Sequence, residues 1–149
     1  MTLKDRIREA LPAAIKRQDK AQSATLRLLL SEIKNAEIAE QKPADDVKVA
    51  EIINRQVRRH RESIEIFKQA SRDDLVTQEE TELRILMNFL PQQMSHDEII
   101  AAARRVIDLV GAKSPSDKGK VMSQLMPQVR GKVGGKEVSD TVSQLLATI

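Results

Sequence analysis

The residues best placed to do chemistry lie near the C-terminal end of the chain. Lys118, Gly119, Lys120, Arg130, Lys132 and Lys136 fall in a stretch from Gly111 to Lys136 that holds all five glycines and, apart from Asp117, no acidic residue. Ammonium and guanidinium groups beside backbone without a Cβ suit close contact with a phosphate-rich partner. A glycine in the first turn of a helix, as Gly119-Lys120 suggests, admits either a phosphate or a neighbouring backbone, so anion contact and close helix packing both stay open. A second basic set, Arg55, Arg58 and Arg59, shares a helix face through spacings of three and four. Glu62 and Glu65 can pair with these arginines in the same way, so this face reads as a solvated, ion-paired surface or as a contact for RNA backbone.

Other chemistries find little support. Cysteine is absent, which removes disulfides and thiolate metal sites. His60 and His96 stand far apart and neither lies in a His-Glu-x-x-His setting. The Gly-x4-Gly-Lys-Ser/Thr cradle for nucleotide phosphates is missing, and so is a serine in a Gly-x-Ser-x-Gly turn. The sequence therefore predicts no catalytic residue, no metal and no cofactor. The formal net charge of +3 is too small for a polycation, so any nucleic-acid role needs a local patch. With Phe67 and Phe89 as its only aromatic residues, the chain lacks the rings on which base-stacking modules depend. Backbone and shape recognition remain. Met122 and Met126, one turn apart, read as a core stripe or as a pliable partner groove.

The elements that must position these residues are helical. Leu3, Ile7, Leu11 and Ile15 recur every four residues, and Leu26, Leu29, Leu30 and Ile33 repeat the pattern, predicting a helical hairpin with Asp19 as the second cap and, unless the first helix starts late, a kink at Pro12. Lys42-Pro43 breaks it. A long helix is expected from Asp45 to Ala70, burying Val49, Ile52, Ile53, Val57, Ile64 and Phe67, and Thr77 with Glu80 has the spacing of a capping box that would open the next. That helix carries Leu83, Leu86, Met87 and Leu90. The acidic doublets Asp45-Asp46, Asp73-Asp74 and Glu79-Glu80 are all expected at helix starts, where the dipole favours them. Leu90-Pro91-Gln92-Gln93-Met94 is the expected boundary between an N-terminal helical domain, residues 1–90, and a C-terminal domain, residues 91–149. In the latter, Ser95 and Glu98 cap a helix that stops at Gly111, Ser114-Pro115 with Asp117 opens a second, and a third begins near Lys136. The fold class is all-α: hairpin and long helices, then three short helices. No window approaches the roughly 20 apolar residues of a membrane span, and the N-terminus lacks a signal-peptide core, so a cytoplasmic protein is expected.

Gly119-Lys120-Val121-Met122, Met126-Pro127, Gly131 and Gly135-Lys136 together resemble the GatB/YqeY family. So do Leu26-Arg27, Ile33-Lys34-Asn35, Arg61-Glu62-Ser63-Ile64, Arg72 with Asp74-Leu75, and Phe89-Leu90-Pro91. The resemblance covers nearly the full length. It implies a free-standing YqeY-like protein whose C-terminal domain is similar to the tail of the B subunit of the tRNA-dependent amidotransferase. That enzyme is a carbon–nitrogen ligase with glutamine as amido donor, acting on charged tRNA in the service of translation. Its tail helps hold the tRNA and its catalytic centres lie in domains absent here. By resemblance, then, the chain is expected to bind tRNA without catalysing the transfer, through Lys118, Gly119, Lys120, Arg130, Lys132 and Lys136, with Arg55, Arg58 and Arg59 as a further contact. An aminoacyl-tRNA synthetase or an amidotransferase subunit is the alternative partner, for a protein-interaction module. The chain departs from the family pattern at Gly134, where Asp is common, and at Ser71, where Gly is common.

Overall fold

A computed structural model of the chain describes residues 1–91 and 93–149; the expected linker residue Gln92 lies outside the described residues. The fold is all-α, and among the described residues the one strand-like feature is an isolated bridge between Arg130 and Val133. The chain divides into two compact units, Met1–Pro91 and Gln92–Ile149.

The first unit holds α1 (Leu3–Lys16), α2 (Lys20–Glu40), α3 (Asp46–Gln69) and α4 (Asp73–Met87). Thr2, Asp19 and Asp45 each accept a first-turn amide with their side chains, at Asp5, Gln22 and Lys48. The α1 helix runs unbroken across Pro12, which lies exposed. Its four-residue period does not hold the core face. A step of four residues overshoots the helical repeat of 3.6, so Leu3 and Ile7 are buried, Leu11 is partly exposed, and Ile15 has turned out to 47% exposure. Ala14 fills the core place instead.

The start of α4 corrects the expected capping box. The helix opens at Asp73, one turn before Thr77, whose hydroxyl donates backward to the Asp73 carbonyl. The turn is set by Ser71 in the left-handed region (φ 55°) and by Arg72, which clasps both carboxylate oxygens of Asp74 at 3.2 and 3.1 Å. Glu79 and Glu80 therefore lie in the second turn of α4 and not at a start. Ile7, Leu26, Leu29, Ile33, Val49, Ile52, Ile53 and Leu86 are fully buried and form the core of this unit. Each such side chain contributes roughly 1.5–3 kcal/mol on removal from water. Phe67 is only partly buried and Met87 is 44% exposed, so α3 and α4 bury less of their apolar stripes than the pattern predicts. Gln18 (φ 59°) and Gln41 (φ 56°) are also left-handed, so all three such turns in this unit are made without glycine.

The second unit holds α5 (His96–Val110), a 3₁₀ turn (Pro115–Asp117), α6 (Lys118–Val129) and α7 (Gly135–Ala147). The Ser95 hydroxyl accepts the Glu98 amide, and α5 ends where Gly111 turns left-handed (φ 68°) and the Ala112 amide reaches back to the Ile107 carbonyl at 3.0 Å. Pro127 lies within α6 without ending it. Ile99, Val106, Val121, Leu125, Val129, Val138, Val142 and Leu146 build a separate core. Helices of 12 to 15 residues are marginal alone, so this shared core is what makes them stable.

Candidate nucleic-acid interface

The predicted basic residues of the second unit fall into two groups. Lys118 and Lys120 stand in the first turn of α6, while Arg130 and Lys132 follow its end and Lys136 opens α7. At 1.5 Å per residue, the 12-residue helix separates the two groups by about 18 Å. The structure thus does not gather the six predicted residues at one spot. It sets them at both ends of α6, a span wider than one phosphate.

Each group is held in place by the residues around it. Val121, Leu125 and Val129 turn one face of α6 into the core, which leaves Gly119, Lys120, Ser123, Gln124 and Gln128 exposed on the other. Asp117 accepts the Lys113 amide at 2.9 Å and lies 4.0 Å from the Lys120 ammonium. The Lys113 amide first, and Lys120 more weakly, hold the Asp117 carboxyl below the usual carboxylate range. The loop after α6 is fixed by the buried side chain of Val133, by the left-handed turn at Gly131 (φ 77°), and by the Met94 amide donating to the Lys132 carbonyl at 3.0 Å. The Gln93 side-chain amide donates to the Gly131 carbonyl at 3.3 Å. Lys132 is presented by an ordered loop.

Packing does not explain the glycines. A Cβ built at Gly119, Gly134 or Gly135 would meet nothing within 4 Å, and none of the three lies in the left-handed region. Close helix–helix approach, one of the two readings open for Gly119, therefore has no neighbour to act on. Gly134 caps α7 without a side-chain hydrogen bond, as its sequence departure implies.

Charge pairing separates the two predicted patches. Among the described residues no ion pair engages Lys118, Lys132 or Lys136, and the contact of Lys120 with Asp117 is long, with its side chain 73% exposed. In the first unit, by contrast, Arg58 faces Glu62 at 3.7 Å along α3, and Arg59 reaches Glu32 of α2 at 3.1 Å. Arg55 is exposed on the same face. Arg58 and Arg59 thus lie on an ion-paired surface of the first unit.

Sequence reading missed two features. Arg104 and Arg105 lie exposed on α5, visible as charges but scattered by the helical period. Nδ1 of His60 on α3 is hydrogen-bonded to the Glu79 carboxylate of α4, with Glu82 beside it, a grouping that no local spacing reveals.

A sequence model of the family described as "Yqey-like protein" matches residues 4–146. An uncharacterized protein of Schizosaccharomyces pombe is 31% identical over 90 residues, covering 60% of this chain and 73% of its own. "Altered inheritance of mitochondria protein 41, mitochondrial" of Lachancea thermotolerans is 33% identical over 113 residues, covering 74% of this chain. The chain spans 60% of that relative's length. The same-named protein of Pyrenophora tritici-repentis is 24% identical over 147 residues, covering 95% of this chain and 79% of its own. Among the described residues no helix is long and apolar enough to cross a membrane.

Proposed function

This chain belongs to the Yqey-like protein family, and from that premise we propose that it is a tRNA-binding accessory protein whose second unit docks on the RNA backbone. Lys118, Lys120, Arg130, Lys132 and Lys136 supply the positive charge, and recognition is by backbone and shape rather than by reading bases. The observation that carries this reading is Gly119. It is exposed in a helix, where glycine costs up to about 1 kcal/mol relative to alanine, and no neighbour within the chain needs the space it leaves. An approaching phosphate group would use that space, and the weakly paired Lys120 stands beside it. The resemblance to the amidotransferase tail supports a role beside tRNA-dependent carbon–nitrogen ligation, as a docking element. We place it in the cytoplasm or, following the names of its fungal relatives, in mitochondria.

The test is the salt dependence of tRNA binding to the full chain. Replacing Lys118, Lys120 and Lys132 together by Ala should flatten the slope of log affinity against log salt by about two to three if each lysine meets a phosphate. An unchanged slope removes those lysines from the interface. Capture from lysate with and without ribonuclease then distinguishes RNA from a synthetase or amidotransferase subunit, since only a protein partner survives the nuclease.

A further inference from the structure

The contact between α3 and α4 carries polar groups at one point. Nδ1 of His60 on α3 is hydrogen-bonded to the Glu79 carboxylate, and an oxygen of Glu82 lies 3.7 Å from the same nitrogen. One donor atom from each residue lies within 4.8 Å of the others. The side chains are only 16%, 21% and 23% exposed. Glu79 and Glu82 are three residues apart on α4, so both carboxylates project from one face toward the histidine. Among the described residues no lysine or arginine pairs with either carboxylate. Two negative charges thus share a half-sheltered space with an imidazole that can bring at most one positive charge.

We propose that His60, Glu79 and Glu82 form a binding site for a divalent transition-metal ion bridging α3 and α4. One imidazole nitrogen with two carboxylate oxygens is a donor set suited to Zn²⁺, Fe²⁺ or Mn²⁺, and facing helices commonly supply such sets. Metal–ligand bonds of about 2.0–2.2 Å at tetrahedral angles place donor atoms roughly 3.4 Å apart; the 3.7 Å from His60 Nδ1 to Glu82 is close to that, while the direct His60–Glu79 contact is shorter and must open to admit the ion. A +2 ion neutralises both carboxylates, which a protonated histidine does not. Three protein donors leave a fourth position for water. The site pins two helices that pack against each other in the first unit, and it is independent of the tRNA reading.

The experiment is calorimetric titration of the chelator-stripped full chain with ZnSO₄ and with MnCl₂, beside MgCl₂ as a hard-ion control. One Zn²⁺ or Mn²⁺ per chain is expected, with a Tm that climbs as the free ion rises above Kd. His60→Asn and Glu82→Gln should each weaken binding at least about tenfold, while His96→Ala, at the only other histidine, leaves it unchanged. No stoichiometric uptake of either ion, equal binding by the parent and both site variants, or loss in His96→Ala would each overturn the proposal. If circular dichroism shows a site variant unfolded, the parent loaded with Co²⁺ decides. A stoichiometric change in the Co²⁺ visible spectrum that competing Zn²⁺ reverses supports the site, and a spectrum no different from that of free aqueous Co²⁺ overturns it.

Discussion

On the proposed docking reading, stability and tRNA contact pull in opposite directions at Gly119. It stands exposed in the first turn of α6 with open space where its Cβ would lie, so Gly119→Ala should stabilise the chain by up to about 1 kcal/mol while weakening tRNA binding. Urea midpoints and tRNA affinity measured on the same preparation check this; a more stable variant that binds as well as the parent takes Gly119 out of the interface. Glu37 illustrates a charge that supports the fold. Its carboxylate accepts from the Lys4 ammonium at 2.6 Å and from the Ala44 amide at 2.8 Å, and Lys4 first, then Ala44, hold it below the usual range. A lowered carboxyl pKa gives stability that is complete above the unfolded value and is lost as pH falls through the folded one. Glu37→Gln should therefore be less stable than the parent at neutral pH, and the difference should shrink below about pH 4. Thermal melts of both proteins from pH 3 to 7 read it directly.

At the scale of the element, the start of α7 is open to improvement. Gly134 has the extended backbone of an N-cap, with φ −70° and ψ 139°, yet offers no side-chain acceptor. Gly134→Asp should add a few tenths of a kcal/mol by capping the first turn. It should also weaken tRNA binding, because the new carboxylate sits between Lys132 and Lys136. Denaturant unfolding and affinity together test both signs. The caps at Asp19 and Ser95 were legible because each is a local contract between a side chain and an amide three residues on. Thr77 and Glu80 satisfied the same pattern and failed, since the bidentate Arg72–Asp74 pair had already opened α4 a turn earlier. His60 was illegible for another reason. Its partners lie on a different helix, and only the register of α3 against α4 brings them together. In the candidate interface, the charges were plain in the sequence. Which arginines are engaged by Glu32 and Glu62, and how α6 divides the lysines into two groups, required the fold.

The molecule as a whole is built on two cores, one within Met1–Pro91 and one within Gln92–Ile149. Ile53 is fully buried in the first and Leu125 in the second. Truncating either to Ala should cost about 2–5 kcal/mol. The loss should be confined to the unit that holds the residue, because distant substitutions without shared neighbours act additively. Hydrogen exchange resolved by residue is the measurement: Ile53→Ala should raise exchange in α1 to α4 alone, and Leu125→Ala in α5 to α7 alone. Equal loosening of both units by either change would show a single cooperative structure.

The left-handed turns at Gln18, Gln41 and Ser71 give the glycine distribution its meaning. Where the backbone asks for glycine in the first unit, the chain supplies Gln or Ser, and where the backbone asks for nothing special, at Gly119, Gly134 and Gly135, it supplies glycine. Relieving the turns and filling the vacant Cβ positions are therefore orthogonal handles for engineering. The first set hardens the scaffold against heat without touching the basic surface, and the second alters what that surface can admit.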